Sequence, residues 1–163
     1  KKVYIPKYLF VVSRICSSVI NLAASFSALL LVMMAMRVEL HYTIILAVVP
    51  VLLLIVFSLG IGLLLAALVV KFRDIMHLYS VFITALMYLT PVIYPMSILP
   101  DWLTVIVKLN PLTNYLMMFR NVMLNNTLFG IGDLFVGILE AGVALAVGLF
   151  VFYRNQDTFI LNL

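Results

Sequence analysis

Cysteine occurs once, histidine twice, and Asp plus Glu only six times in 163 residues. The single Cys16 excludes a disulfide framework and any cysteine-based metal cluster within one chain, and its expected role is a small apolar packing residue. His41 and His77 flank different apolar blocks, at opposite membrane faces, so they cannot share an ion and read as interfacial polar residues. No Gly-rich loop ends in Gly-Lys-Ser/Thr, which removes a nucleotide site of that type; no cofactor, metal or catalytic constellation is expected. Charged residues make up 10% of the chain against 66% hydrophobic, and the mean hydropathy is +1.27. A soluble domain does not carry that balance, so the chain reads as an integral membrane protein.

What charge there is amounts to a net +4, spread singly or in pairs at the ends of apolar blocks. That placement sets orientation in a bilayer, whereas a nucleic-acid partner would call for clustered positive charge. The start Lys1-Lys2-Val3-Tyr4-Ile5-Pro6 has no Met, is broken by Pro6 and lacks a small-residue cleavage site. It is not a signal peptide, and the chain reads as a piece of a longer protein.

A hydrocarbon core of ~30 Å takes about 20 helical residues at ~1.5 Å each. The apolar blocks predict an all-α membrane fold with four transmembrane helices, over residues 9–36, 44–70, 76–94 and 134–153. Arg37 to Tyr42 is a short polar turn, so the first two form an antiparallel hairpin, and Pro50 falls in the early turns of the second. Residues 98–125 hold apolar runs too short to cross separately. Asp101 after Pro100 is a plausible N-cap, and Asn110-Pro111 divides two amphipathic pieces, which predicts a short re-entrant helix pair before the last span. Two full spans there would sink Lys108 and Arg120 into lipid at ~2.5–3.5 kcal/mol each.

With four crossings, Lys1, Lys2, Lys7, Arg14, Lys71, Arg73 and Arg154 share one side, and Arg37, Lys108 and Arg120 the other. The asymmetry places both termini in the cytoplasm, with Lys71, Arg73 and Asp74 in a cytoplasmic loop.

Several residues stand out against this background. Ser13, Ser17, Asn21 and Ser25 repeat every fourth position, a polar stripe suited to helix-to-helix hydrogen bonds or to a water-lined path. Ser58, Gly62 and Ala66, with Gly60 nearby, predict a close-packing face on the second span. Glu140 lies two turns inside the last span, where a carboxylate needs a partner; Arg120 or Lys108 is the expected one, and a proton relay the alternative. Tyr88, Tyr94, Trp102 and Tyr115 cluster toward the far face as belt anchors or as a surface for sugar rings. Thr90-Pro91-Val92-Ile93-Tyr94-Pro95 closes the third block with a broken, aromatic end.

Taken in order, Val70-Lys71-Phe72-Arg73-Asp74-Ile75, Leu89-Thr90-Pro91-Val92-Ile93-Tyr94-Pro95, Leu109-Asn110-Pro111-Leu112 and Phe119-Arg120 resemble the permease subunit of bacterial ABC-2 type polysaccharide exporters, among them the O-antigen and wall teichoic acid exporters. Lys1 to Lys7 is similar to the cytoplasmic segment preceding that family's third span. The resemblance implies that the chain carries spans three to six of a six-span permease, with gate helices at residues 98–125 and only the tail of the coupling helix that docks on the ATPase. It implies a permease homodimer in the bacterial cytoplasmic membrane, paired with ATPase subunits and passing a lipid-linked glycan or polyol phosphate outward. Tyr88, Pro91, Tyr94, Trp102, Asn110, Pro111, Tyr115, Arg120 and Glu140 are then the candidate gate or substrate-path residues.

A membrane-embedded enzyme or assembly factor acting on lipid-linked glycans is the alternative. It would need acidic or basic groups converging at one membrane face, and Asp74 stands alone among the carboxylates of its loop.

Overall fold

In the computed structural model, residues 8–37, 41–71 and 75–155 are described. Six α-helices follow one another: α1 Tyr8–Ala35, α2 Val48–Lys71, α3 Ile75–Leu89, α4 Asp101–Lys108, α5 Pro111–Met123 and α6 Ile131–Asn155, with 3-10 turns at Tyr42–Ala47 and Met96–Ile98. Among the described residues, three helical stretches are long and apolar enough to cross a membrane, at Leu9–Ala35, Tyr42–Val69 and Ile131–Arg154.

The α3 helix is shorter than the expected span 76–94. It stops at Leu89, giving 15 residues or about 22 Å at ~1.5 Å per residue. Thr90 precedes a proline, which disfavours the helical region, and Pro91 has no N–H with which to continue the ladder. The chain turns at once, with Val92 N–H donating to the Thr90 carbonyl at 2.7 Å. The Tyr94 phenol then reaches back and donates to the Tyr88 carbonyl at 2.7 Å, satisfying one of the acceptors that a helix end leaves open.

Helix α1 packs antiparallel to α2. Val11 and Ile15 lie against Gly62, while Phe26, Leu30 and Met33 gather near Ala47 at the other end. Ser13, Ser17 and Asn21 lie on the side of α1 turned away from these residues and are exposed, as is Ser25 at the border with α2. Cys16 is exposed as well, so the expectation that it packs inside the chain is corrected: it falls outside the Val11, Ile15, Val19 row that meets α2.

The main helix pair is α2 with α6, and it runs parallel: Leu53 meets Gly137, Gly60 meets Ala144 and Gly148, and Leu63 and Ala67 meet Phe152. Gly60 and Gly148 put the two backbones in direct contact, the approach that small residues permit between membrane helices. The face expected from Ser58, Gly62 and Ala66, with Gly60 nearby, meets α1 at Gly62, and the row of Gly60, Leu63 and Ala67 beside it meets α6. Ser58 is exposed and Gly62 and Ala66 are half-buried, whereas Gly60, Leu63 and Ala67 are buried. On α6 the matching row is Gly137, Ala141, Ala144 and Gly148, which the sequence reading passed over.

Because α2 and α6 are parallel, their starts share one end of the molecule. The α4–α5 hairpin sits there, and α3 carries the chain back to it. Lys71 closes α2 at the opposite end, while Arg73 and Asp74 lie outside the described residues, as do Lys1 to Lys7.

Candidate functional site

Helix α5 is the hub of the hairpin end, and its boundaries follow from local chemistry. Asn110 is the N-cap: its side-chain oxygen accepts from Leu112 N–H at 3.1 Å. Pro111 at the first helical position loses nothing, because that N–H would be unpaired in any helix. The α4 start differs from expectation. Pro100 is the N-cap and Asp101 is already helical, with no side-chain cap made; its charge sits in the first turn instead, favourable to the helix dipole.

Three neighbours hold α5, each on a different face. Toward α6, the buried Tyr115 phenol donates to the Gly137 carbonyl at 3.1 Å and its ring meets Phe57 edge to face, with centroids 5.8 Å apart. One residue earlier, the Asn114 amide donates to the Asp133 carbonyl at 3.2 Å and to the Glu140 carboxylate at 3.4 Å. Toward the segment before α2, the buried Thr43 hydroxyl lies 3.1 Å from the Val122 carbonyl and 3.0 Å from Asn126 Oδ1. Toward α3, the Asn110 amide donates to the Thr90 hydroxyl at 3.0 Å, and Arg120 donates to the Val92 carbonyl at 2.8 Å.

One expectation is corrected by this arrangement. Neither Arg120 nor Lys108 partners Glu140; Asn114 does. Six residues separate Asn114 from Arg120, so at ~3.6 residues per turn they point about 120° apart around α5. Asn114 faces α6 and Arg120 faces the end of α3, while Lys108 is exposed at the last turn of α4. The four aromatics expected near the far face differ in exposure. Tyr88 is 72% and Trp102 68% exposed, Tyr94 is half-buried over the α3 end, and Tyr115 at 3% is enclosed.

Two adjoining apolar clefts run along α5. One of about 330 Å³ lies between α1 and α2 and is bordered by Val19, Phe26, Val48 and Phe119; Ser25 touches its edge. The other, about 270 Å³, is bordered by Pro50, Leu54, Thr90, Leu112 and Tyr115. Leu22, Val51 and Phe119 border both, so the two form one trough from mid-helix toward the hairpin. Phe119 stacks edge to face on Phe26, centroids 6.2 Å apart.

No three metal-ligating side chains come together among the described residues. The described carboxylates do not converge: Asp101 begins α4, Asp133 accepts from Gly130 N–H at 3.3 Å, and Glu140 takes Asn114. Sequence reading had named Asn110, Pro111, Tyr115, Arg120 and Glu140 but missed Asn114, Thr43 and Gly148. No local pattern marks Asn114, because adjacent helical residues point about 100° apart and Tyr115 does not by itself indicate where Asn114 faces.

Comparison with known proteins places this arrangement in context. Residues 1–124 match the ABC-2 type transporter family. The chain is 28% identical over 107 residues to the O-antigen export system permease protein RfbA of Klebsiella pneumoniae, covering 64% of this chain and 40% of that protein. It is also 28% identical over 123 residues to the protein of the same name from Myxococcus xanthus, covering 74% of this chain and 47% of that one. The chain thus spans less than half the length of either relative.

Proposed function

The chain belongs to the ABC-2 type transporter family, and from that premise we propose that it is a membrane part of a permease subunit exporting lipid-linked polysaccharide, O-antigen or teichoic acid, powered by a separate ATPase. The observation that carries this reading is the match over residues 1–124, joined by two relatives that are themselves O-antigen export permeases. No convergent carboxylates among the described residues favour the enzyme alternative.

Four crossings fit the parallel α2–α6 pair. A chain that descends in α2 and descends again in α6 climbs between them, and α3 with residues 90–95 is what climbs. The α4–α5 hairpin then stays at the outer face as a re-entrant gate, its elbow at Asn110-Pro111. Both ends of the segment lie in the cytoplasm of a bacterial cell, and the Lys71, Arg73, Asp74 loop faces the ATPase. The exposed apolar side of α3 and the polar stripe of α1 are surfaces for further spans or for a second permease copy, because hydroxyls and amides in lipid seek partners. Arg120 uses one of its five donors on Val92, and others can meet an anionic group such as a phosphate of the cargo.

Co-purification tests the reading. The full-length permease, tagged and extracted in mild detergent, is expected to bring down a nucleotide-hydrolysing subunit in equal amount. Recovery without any ATPase, together with glycan-modifying activity, would replace the transport reading by the enzyme one.

A further inference from the structure

Two proline elbows that lie twenty positions apart in the sequence are bonded to each other by buried side chains. Thr90 and Asn110 are each 6% exposed and Pro91 is fully buried. What makes their 3.0 Å bond unusual is how rigidly each partner is fixed to its own helix. Thr90 continues α3 by two bonds to the same Leu86 carbonyl, from its N–H at 2.9 Å and from its hydroxyl at 2.8 Å. Asn110 is fixed to α5 through its side-chain oxygen, which takes Leu112 N–H, and its carbonyl, which takes Thr113 N–H at 2.9 Å. No loop stands between the two helices at this point to absorb movement.

The rest of α3 is largely uncovered within the described chain. From His77 to Ala85 its described residues are exposed, and the chain first becomes buried at Thr90. Arg120 also ties this region, but it grips Val92, beyond the proline and outside the helix. A displacement of α3 therefore reaches the hairpin through Thr90 and Asn110. Water does not easily replace the bond when stretched, because both groups are enclosed and an unpaired buried amide is costly.

We infer that the Thr90–Asn110 bond is the joint through which movement of α3 is passed to the α4–α5 hairpin, making Thr90 and Asn110 positioning residues for the gate. The inference rests on the reading of the hairpin as a gate in an ATP-driven permease. The competing arrangement is a hairpin that rides with α6 through Tyr115 and Gly137, for which the α3 contact is only packing.

The test uses the full-length permease with its ATPase in proteoliposomes, Cys16 replaced by alanine and Lys108 by cysteine as a reporter on exposed α4. Its labelling by a thiol reagent is timed without nucleotide and in an ATP-trapped state. The expected result is a rate ratio between states of about fivefold or more, the scale of ordinary coupling between sites. Thr90→Val, which keeps the shape and removes the acceptor, should bring that ratio near one while ATP hydrolysis continues; Thr90→Ser should restore it. A general packing defect would affect ATP hydrolysis too and would not follow the hydroxyl. If the Thr90 protein shows a ratio and Thr90→Val keeps it, the joint is overturned and the gate stands. If the Thr90 protein shows no ratio, the gate reading falls, and the joint with it.

Discussion

Gly60→Ala is expected to weaken the protein far more than a methyl added at Gly62 or Gly142. A Cβ at Gly60 would lie within the backbone of Ala144 and Leu145, and one at Gly148 would strike the Gly60 carbonyl and carbon. Backbone cannot rotate out of the way as a side chain can. The α2 and α6 axes would have to part, and every contact along the pair, from Leu53 against Gly137 to Ala67 with Phe152, would loosen together. Overpacking ordinarily costs ~1–3 kcal/mol, and a contact between backbones belongs at or above the top of that range. At roughly 2–4 °C per kcal/mol for a chain of this size, the thermal midpoint in detergent should fall by about 5 °C or more. Gly62→Ala meets only the Val11 side chain, at 3.1 Å, and should cost less. Gly142→Ala meets nothing within 4 Å and should leave the midpoint unchanged. Equal stability of Gly60→Ala and Gly142→Ala would show that the two helices do not touch at this crossing.

The second large effect falls on transport. Arg120→Ala removes the donor that holds the Val92 carbonyl and, in the proposed mechanism, the cation that meets the cargo. A charge-assisted bond is commonly worth ~1.5–3 kcal/mol, so export by the full-length permease should drop by about tenfold to a hundredfold with insertion and ATPase binding intact. Arg120→Lys keeps the charge but not the planar fork, and should recover only part. Since Glu140 is held by Asn114 and not by Arg120, Glu140→Ala added to Arg120→Ala should lower export by the product of the two single effects. A double variant no worse than Arg120→Ala would return these residues to a shared pair. Undiminished export in Arg120→Ala would leave the hairpin a structural plug.

Three long helices were legible from apolar runs alone, because a bilayer demands length and little else. The elbow at Asn110-Pro111 was legible too, as an N-cap residue followed by proline is a helix start by local chemistry. What the sequence hid was phase. Helix α2 is apolar all round, so nothing marks which side meets α6; the four-residue spacing of Ser58, Gly62 and Ala66 marked the side that meets α1 at Gly62, and the backbone contact with α6 at Gly60 lies on another. The same loss of phase produced the expected Arg120–Glu140 pair. Opposite charge suggested it, but the partner of a membrane carboxylate is chosen by which side of the helix faces it, and that side belongs to Asn114 and Tyr115. Thr90 was quoted only as part of a motif. Its bond to Asn110 joins segments separated by a turn and a whole helix, and no local pattern announces such a contact.

The proposed role of this chain in the membrane path of an ATP-driven glycan exporter has one most direct test. The full-length permease and its ATPase are reconstituted with a labelled lipid-linked glycan on the ATPase side, and appearance of glycan on the opposite side is followed with and without ATP. The account predicts ATP-dependent movement that disappears when either subunit is omitted. Movement independent of ATP, or no movement of any lipid-linked glycan by a complex that still hydrolyses ATP, would contradict it.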